Sequence, residues 1–277
     1  MRDALAEDFG KSSDVELILT ESDDEGDFRR HASNVDWSLV IAPETEGILR
    51  QCAEWVLQAG GRLLSPSPEA IFLCSDKAVL AEKLAGIVPQ PSINPEGYPQ
   101  IWKPRDGAGS LDVFYVPDES IARMLEDNGF GHLLRTEYVP GIHASIAFLC
   151  GPQRIEPLPP CWQLLSDDGR FRYLGGEVPI LPHLAERVVA VAKPAIEWLH
   201  RQHPFNGYIG VDVVLGDDRD VLIEINPRMT TSYIGLRQLC ETNLAEAMLK
   251  IAQGTSCDLH WKAGRIRFEP DGAIRTG

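Results

Sequence analysis

Hydrophobic positions along this chain follow two periods, and the switches between them mark its elements. Residues 14–20 (DVELILT) and 37–44 (WSLVIAPE) are short apolar runs that read as buried strands, the second ending in a turn. Residues 45–59 repeat at helical spacing through Ile48, Leu49, Cys52, Trp55 and Val56, with Thr45 as the expected cap and Gly60 and Gly61 as the stop. Residues 1–10 place Ala4, Leu5 and Phe9 near one helical face. The intervening acidic stretch ESDDEGDFRR reads as a solvated loop or helix start. A short strand in RLLSPSPEA completes a strand–helix–strand rhythm over 14–65, which predicts a small parallel-sheet lobe.

The helical period returns over 69–84 and breaks around Cys74, Ser75, Asp76 and Lys77, with Ser75 as the expected cap of the second half. A strand ends at Lys103, a small-residue loop covers 105–110, and LDVFYV returns. Residues 117–128 read as a helix between Pro117 and Gly129, and 133–149 as two strands about Pro140 and Gly141. The Pro- and Gly-rich stretch 154–182, with Glu156, Gln163 and Arg172, reads as short strands and loops forming a wall or lid. A long helix over 183–203 carries Leu184, Val188, Val191, Ile196 and Leu199 on one stripe, with Pro194 as a kink. Residues 236–253 read as one amphipathic helix stopped by Gly254, and RIRFEP as a last strand.

The densest chemistry lies in NGYIGVDVVLGDDRDVLIEINPRMTTSYIGLR, residues 206–237. Two β-rich runs flank the turn sequence GDDRD. On the second run, alternation puts Val221, Ile223 and Ile225 on one side and Leu222, Glu224 and Asn226 on the other. Antiparallel pairing brings Asp212 close to Glu224 and Asn226. Two carboxylates and an amide oxygen at one spot repel one another unless a hard cation joins them, and an oxygen-only set suits Mg²⁺ or Mn²⁺. Solvated strand faces also carry such residues, so spacing alone leaves both readings open. Upstream, Lys103 and the loop Asp106-Gly107-Ala108-Gly109-Ser110 could clamp phosphates or form a plain glycine-rich turn. Lys77, at a helix start, is either a surface lysine or one aimed at an anion. The extended run at 137–139 has backbone groups suited to an adenine edge.

Composition removes several classes. A formal charge of −15 over 277 residues argues against nucleic acid or an anionic membrane as partner. The chain has no apolar run of about 18 residues, and its charged start is unlike a secretory signal. Six cysteines without a CxxC pair or zinc spacing point to reduced thiols in a cytoplasmic protein. No GxxxxGK[ST] or GxGxxG motif occurs. Nor does a compelling Ser/His/Asp triad, and His200 with His203 lacks a third metal ligand.

SDK at 75–77, KPRDGAGS at 103–110, EYVPG at 137–141 and GVDVV…EINPR at 210–228 occur in this order, and together they resemble the ATP-grasp superfamily over about residues 70–240. EINPRMTTSYIGLR resembles the tyramine–glutamate ligases of methanofuran biosynthesis and their relatives in methylotrophic bacteria. The resemblance implies an α/β chain of α+β lobes: a pre-ATP-grasp lobe over 1–68 and an ATP-grasp domain over 69–277, the latter split into 69–140 and 141–277. Set beside relatives, the N-terminal βαβ lobe is expected to be short of its first strand, which would leave the acceptor site incomplete. ATP phosphates fall to Lys77 and Lys103, with Asp106, Gly107, Ala108, Gly109 and Ser110 as the loop over them. Adenine falls to Glu137, Tyr138 and Val139, and His143 stands where relatives often place a ribose-binding glutamate. Mg²⁺ falls to Asp212, Glu224 and Asn226. Arg228 becomes the oxyanion stabiliser, since Gly210 occupies the place where some relatives carry an arginine. The Thr230–Tyr233 loop would touch the carboxylate substrate or the amine; separately from the resemblance, Tyr233 and the Trp162 region could pack an aromatic amine. The implied activity is an ATP-dependent carboxylate–amine ligase, with glutamate and tyramine or a tyrosine-like amine as small-molecule substrates and a homodimer as a further expectation. The alternatives are another amino-acid ligase or a decayed nucleotide-binding regulatory protein.

Overall fold

A computed structural model describes residues 1–20, 24–107 and 112–276. The N-terminal third carries helices α1 (Arg2–Gly10), α2 (Glu25–Ala32), α3 (Ile48–Gln58), α4 (Pro68–Ser75) and α5 (Lys77–Leu84). A small sheet follows, built from β1 (Gln100–Lys103), β2 (Phe114–Val116) and β3 (Leu134–Glu137), with α6 (Glu119–Asp127) between the last two in sequence. Its order is β2-β1-β3, all antiparallel. Trp102, Phe114, Val116, Ala122 and Leu125 close its own small core.

The large sheet contains β4 (Ile142–Gly151), β5 (Arg154–Pro157), β6 (Cys161–Leu165), β7 (Tyr173–Val178), β8 (Gly207–Leu215), β9 (Asp220–Asn226), β10 (Ile266–Phe268) and β11 (Ile274–Thr276). Its order is β11-β10-β7-β6-β4-β8-β9, with β5 on β4. Helix α7 (Pro182–Gln202) covers one face through Val188, Ile196 and Leu199, against Ile146 and Phe148 of β4 and Val211 of β8. Helices α8 (Ser232–Leu239) and α9 (Leu244–Ala252) cover the other, against Ala147 and Leu149. Alternate residues of β4 thus go to opposite cores, and the strand is apolar nearly throughout because both faces are buried.

Several sequence expectations need correction. Residues 14–20 form no strand: Leu17, Ile18 and Leu19 are exposed, and the segment enters no strand ladder among the described residues. Apolar content favours a strand only where a partner supplies the backbone hydrogen bonds. The N-terminal strand–helix–strand unit is reduced to one parallel bridge, Ser38 to Leu63, on either side of α3. Thr45 is not the cap of that helix. A 3₁₀ turn spans Thr45–Gly47, Glu46 and Gly47 take left-handed conformations, and α3 begins at Ile48. The break at 75–77 is present, but Asp76 is the cap, accepting from the amides of Ala78 and Val79, while Ser75 Oγ donates to the Ile71 carbonyl. Residues 236–253 are two helices, because Asn243 caps a new start at Leu244.

Candidate active site

The β8–β9 hairpin turns through 216–219 as its composition predicts, and its register sets Asp212 opposite Glu224 and Gly210 opposite Asn226. A bulge follows, since Val213 pairs with Leu222 and leaves Ile223 without a cross-strand partner. Strict alternation at 221–226 therefore fails. Ile223 and Glu224 both line one cleft, and Val221 and Leu222 are both buried.

Asp212 and Glu224 interact directly, and Asn226 Nδ2 donates to Asp212 Oδ2 at 3.1 Å. Gln163 on β6 donates to Asp212 Oδ1 at 2.7 Å. Lys77 Nζ lies 3.6 Å from Glu224 Oε2 and also donates to the Gly107 carbonyl at 2.9 Å. Arg228, just past β9, donates Nη2 to Asn226 Oδ1 at 3.1 Å and Nε to Glu44 Oε1 at 2.5 Å. Buried Lys103 completes the group from β1.

The electrostatics follow from burial and like charge. Burial and the facing Glu224 push the Asp212 carboxyl well above its usual range. Burial works the same way on Glu224, but Lys77, Lys103 and the hydrogen bond with Asp212 outweigh it and hold that carboxyl down. The two carboxyls share one buried spot and titrate as an interacting pair. Burial lowers Lys103 to about 8, against the pull of Glu224 and with help from neighbouring Lys77.

Lys77, Lys103, Gln163, Asp212 and Glu224 of this group line a cleft of about 260 Å³ between the two sheets, whereas Asn226 and Arg228 are not part of its lining. Its apolar lining comes from Ile101, Val214, Ile223, Leu165 and Phe171. Tyr138, Val139 and His143 line it as well, and burial lowers the His143 pKa. Glu137 also lines it, but its carboxylate is taken up by the Ser92 amide and hydroxyl and by Arg219. Asp106 and Gly107 reach the cleft, while Ala108, Gly109 and Ser110 lie outside the described residues. The loop between β6 and β7 clasps the small sheet. Gly169 accepts from the Tyr115 amide at 2.8 Å, Arg170 stacks on Phe114, and Phe171 takes a left-handed conformation against the cleft.

Two expectations fail here. Tyr233 is fully buried and donates to Asp8 Oδ2 at 2.7 Å, so it cannot pack a substrate ring. Thr230 and Ser232 bond to the Tyr208 hydroxyl rather than opening into the cleft as a loop. Trp162 packs partly against the α7 core. The sequence reading missed Glu44 and Phe171, took Thr45 for a helix cap, and placed Gln163 in an acceptor-binding wall or lid rather than beside Asp212. None carries a local motif, although the turn after the apolar run at 37–44 marks where Glu44 leaves the core.

The ATP-grasp domain family matches residues 74–232, more than half of the chain, and the pre ATP-grasp 3 domain matches residues 1–71. The chain belongs to the ATP-grasp superfamily. Tyramine–L-glutamate ligases are among its relatives. The one from Methanocaldococcus jannaschii is 29% identical over 240 residues, covering 87% of this chain and 70% of that protein. The one from Methanocaldococcus fervens is 29% identical over 253 residues, 90% of this chain and 78% of its own. The crystal structure of an ATP-grasp superfamily protein from Archaeoglobus fulgidus superposes with a TM-score of 0.69 at 26% identity, over 93% of this chain and 76% of that one. This ATP-grasp protein is an ATP-dependent carboxylate–amine ligase acting on small molecules and forming a carbon–nitrogen bond. Among its described residues no helix is long and apolar enough to cross a membrane.

Proposed function

We propose that the ligase joins glutamate to tyramine or a tyrosine-like amine, in the biosynthesis of a methanofuran-type cofactor. The observation that carries the ATP-dependent part is one cleft whose lining combines apolar side chains suited to a purine with the lysines and carboxylates suited to phosphates and their cation. The relatives' names support the substrates. In this reading residues 1–68 form the pre-ATP-grasp lobe and 69–277 the ATP-grasp domain. Adenine lies against Glu137, Tyr138 and Val139, the ribose near His143, and the phosphates under the loop from Asp106 to Ser110.

A carboxylate is a poor electrophile because its leaving group would be oxide. Attack of the glutamate carboxylate oxygen on the γ-phosphorus forms an acyl phosphate and breaks the bond to ADP. The amine nitrogen then attacks the carbonyl carbon, phosphate leaves, and the nitrogen gives up a proton. Lys77, Lys103 and Arg228 supply positive charge where negative charge shifts from the γ-phosphate to the leaving oxygens. Their side chains are held before reaction, so little reorganisation opposes the transfer. Asp212 and Glu224 suit a hard cation, because two buried carboxyl groups face each other across the hairpin and interact directly, and Asn226 would join them with its amide oxygen, which Arg228 holds here. They would hold Mg²⁺ or Mn²⁺, which supplies further charge neutralisation when bound.

Incubation with ATP, Mg²⁺, glutamate and tyramine is expected to release ADP only when the amine is present, with the amide visible by mass spectrometry. ATP binding without amine-dependent ADP, over a panel of amines, would remove the ligase assignment for this chain and leave a nucleotide-binding regulator.

Lys103 makes the reaction pH-dependent. Its pKa is lowered to about 8, so its charge is present below that pH and lost as pH rises through it. ATP affinity of the free enzyme is expected to fall above pH about 8, and kcat to hold to higher pH because bound phosphates favour the ammonium. Lys103→Met should raise KM for ATP about tenfold and flatten this limb. A limb of unchanged shape in Lys103→Met would assign it to another group.

A further inference from the structure

Glu44 is a buried carboxylate, 5% exposed, that belongs to the N-terminal lobe yet faces the hairpin of the ATP-grasp domain. It leaves the core at the end of the apolar run 37–44, just before the 3₁₀ turn. The left-handed residues Glu46 and Gly47 reverse the chain there, and Thr45 lines the cleft. A left-handed Glu is costly for a side-chain-bearing residue, so the turn is held by its surroundings. Gly47 donates to the Glu44 carbonyl at 3.3 Å and Leu49 to the Pro43 carbonyl at 3.0 Å, which fixes the backbone that carries Glu44.

The carboxylate receives Arg228 Nε at 2.5 Å. On its other side the same guanidinium donates Nη2 to Asn226 Oδ1, and Nη1 to the Met229 carbonyl at 3.3 Å. Asn226 in turn donates to Asp212. The plane of the Arg228 head is therefore set from three directions. The N–H groups left over make no hydrogen bond among the described residues, and the Arg228 charge acts on Asp212 and Glu224 beside it. Burying Glu44 is costly, and an apolar pair would join the two lobes at least as well. An ion pair adds what an apolar contact cannot, a fixed orientation of the planar fork.

We propose that Glu44 is a positioning residue for the phosphoryl-transfer step. It acts through Arg228 and makes the N-terminal lobe part of the reaction centre. This rests on the reading of Arg228 as the group that meets the transferred phosphoryl. Glu44 itself need touch neither ATP nor glutamate.

The test uses the full chain with Glu44→Gln, Glu44→Asp, Arg228→Lys and the Glu44→Gln/Arg228→Lys double variant. Glu44→Gln is expected to lower kcat about tenfold or more and to leave KM for ATP within about threefold, since orientation at the transfer step is lost while the purine and lysine contacts remain. Glu44→Asp should recover part of kcat. The double variant should be no slower than Arg228→Lys, because both changes remove one function. Side-chain NMR supplies a readout independent of turnover. The Arg228 Nε–H signal should be protected from exchange in the wild type and lose protection in Glu44→Gln, while that of Arg187, paired with Asp220, stays. Unchanged kcat in Glu44→Gln, additive losses in the double variant, or a protected Arg228 signal without Glu44 would each overturn the proposal. So would a lower melting temperature with normal kcat, the mark of a merely structural bridge. If the wild type shows no amine-dependent ADP release, the ligase reading fails, and the NMR arm still decides whether Glu44 positions Arg228.

Discussion

Replacing Glu224 by Gln is expected to abolish practical turnover, by a factor on the order of 10³, with the fold intact. The substitution keeps side-chain length and shape, removes the charge and turns one acceptor oxygen into a donor NH2. That charge is the one the surroundings protect: Lys77 stands 3.6 Å away, Lys103 adds its field, and both outweigh the burial that would otherwise protonate the carboxyl. With Gln there, the lysines lose their counter-charge, and the oxygen set proposed for Mg²⁺ loses its principal anion. Charge stabilisation by a metal at a transferring phosphoryl contributes several kcal/mol, and about 1.4 kcal/mol corresponds to a tenfold rate change. Amine-dependent ADP release measures the loss. Circular dichroism and ATP titration with and without Mg²⁺ show whether fold and nucleotide binding persist. A variant that keeps near-normal turnover would remove Glu224 from the metal assignment.

Asp8→Ala is expected to cost about 3 kcal/mol of stability, near the lower end for breaking a buried ion pair. Asp8, on α1, is 7% exposed and accepts from the Tyr233 hydroxyl and from Arg237 Nε, each at 2.7 Å, and from Arg237 Nη2 at 2.5 Å. Its carbonyl accepts from Asn243 at 2.6 Å. Truncation leaves a buried phenol without its acceptor and a guanidinium with only the more exposed Glu7, 3.0 Å away. That remaining partner is the reason for the low-end figure. Urea unfolding followed by circular dichroism measures the change; a loss under about 1 kcal/mol would mean that water replaces Asp8 at little cost. Because α8 follows the Arg228 segment directly, the same variant should loosen the downstream end of the hairpin.

The hairpin was the most legible part of the site. Period-two alternation, turn residues and an acid on each strand are local properties, and they anticipated Asp212 opposite Glu224 with Asn226 alongside. The bulge at Ile223 was not legible, because its position depends on how β9 meets both β8 and the rest of the sheet. Helix breaks were half legible. The interruption near residue 76 appeared in the pattern, but the cap was one residue later than expected, and the break at 240–243 was hidden by a continuous apolar stripe. The run 14–20 shows the reverse error: it has the composition of a buried strand and lies exposed.

The chain alone made legible the hairpin with its paired acids, the lysine before a glycine-rich loop, and the family they point to. Each is carried by neighbours in the chain, where spacing dictates geometry. Tertiary structure alone decided which distant groups complete the site. Glu44 meets Arg228 across 184 positions of sequence, and Gln163 meets Asp212 across 49. Tyr233, read as a substrate contact, is instead sealed against Asp8. Burial, ion pairing and the fate of an exposed apolar run depend on what packs from elsewhere, and no local pattern encodes that.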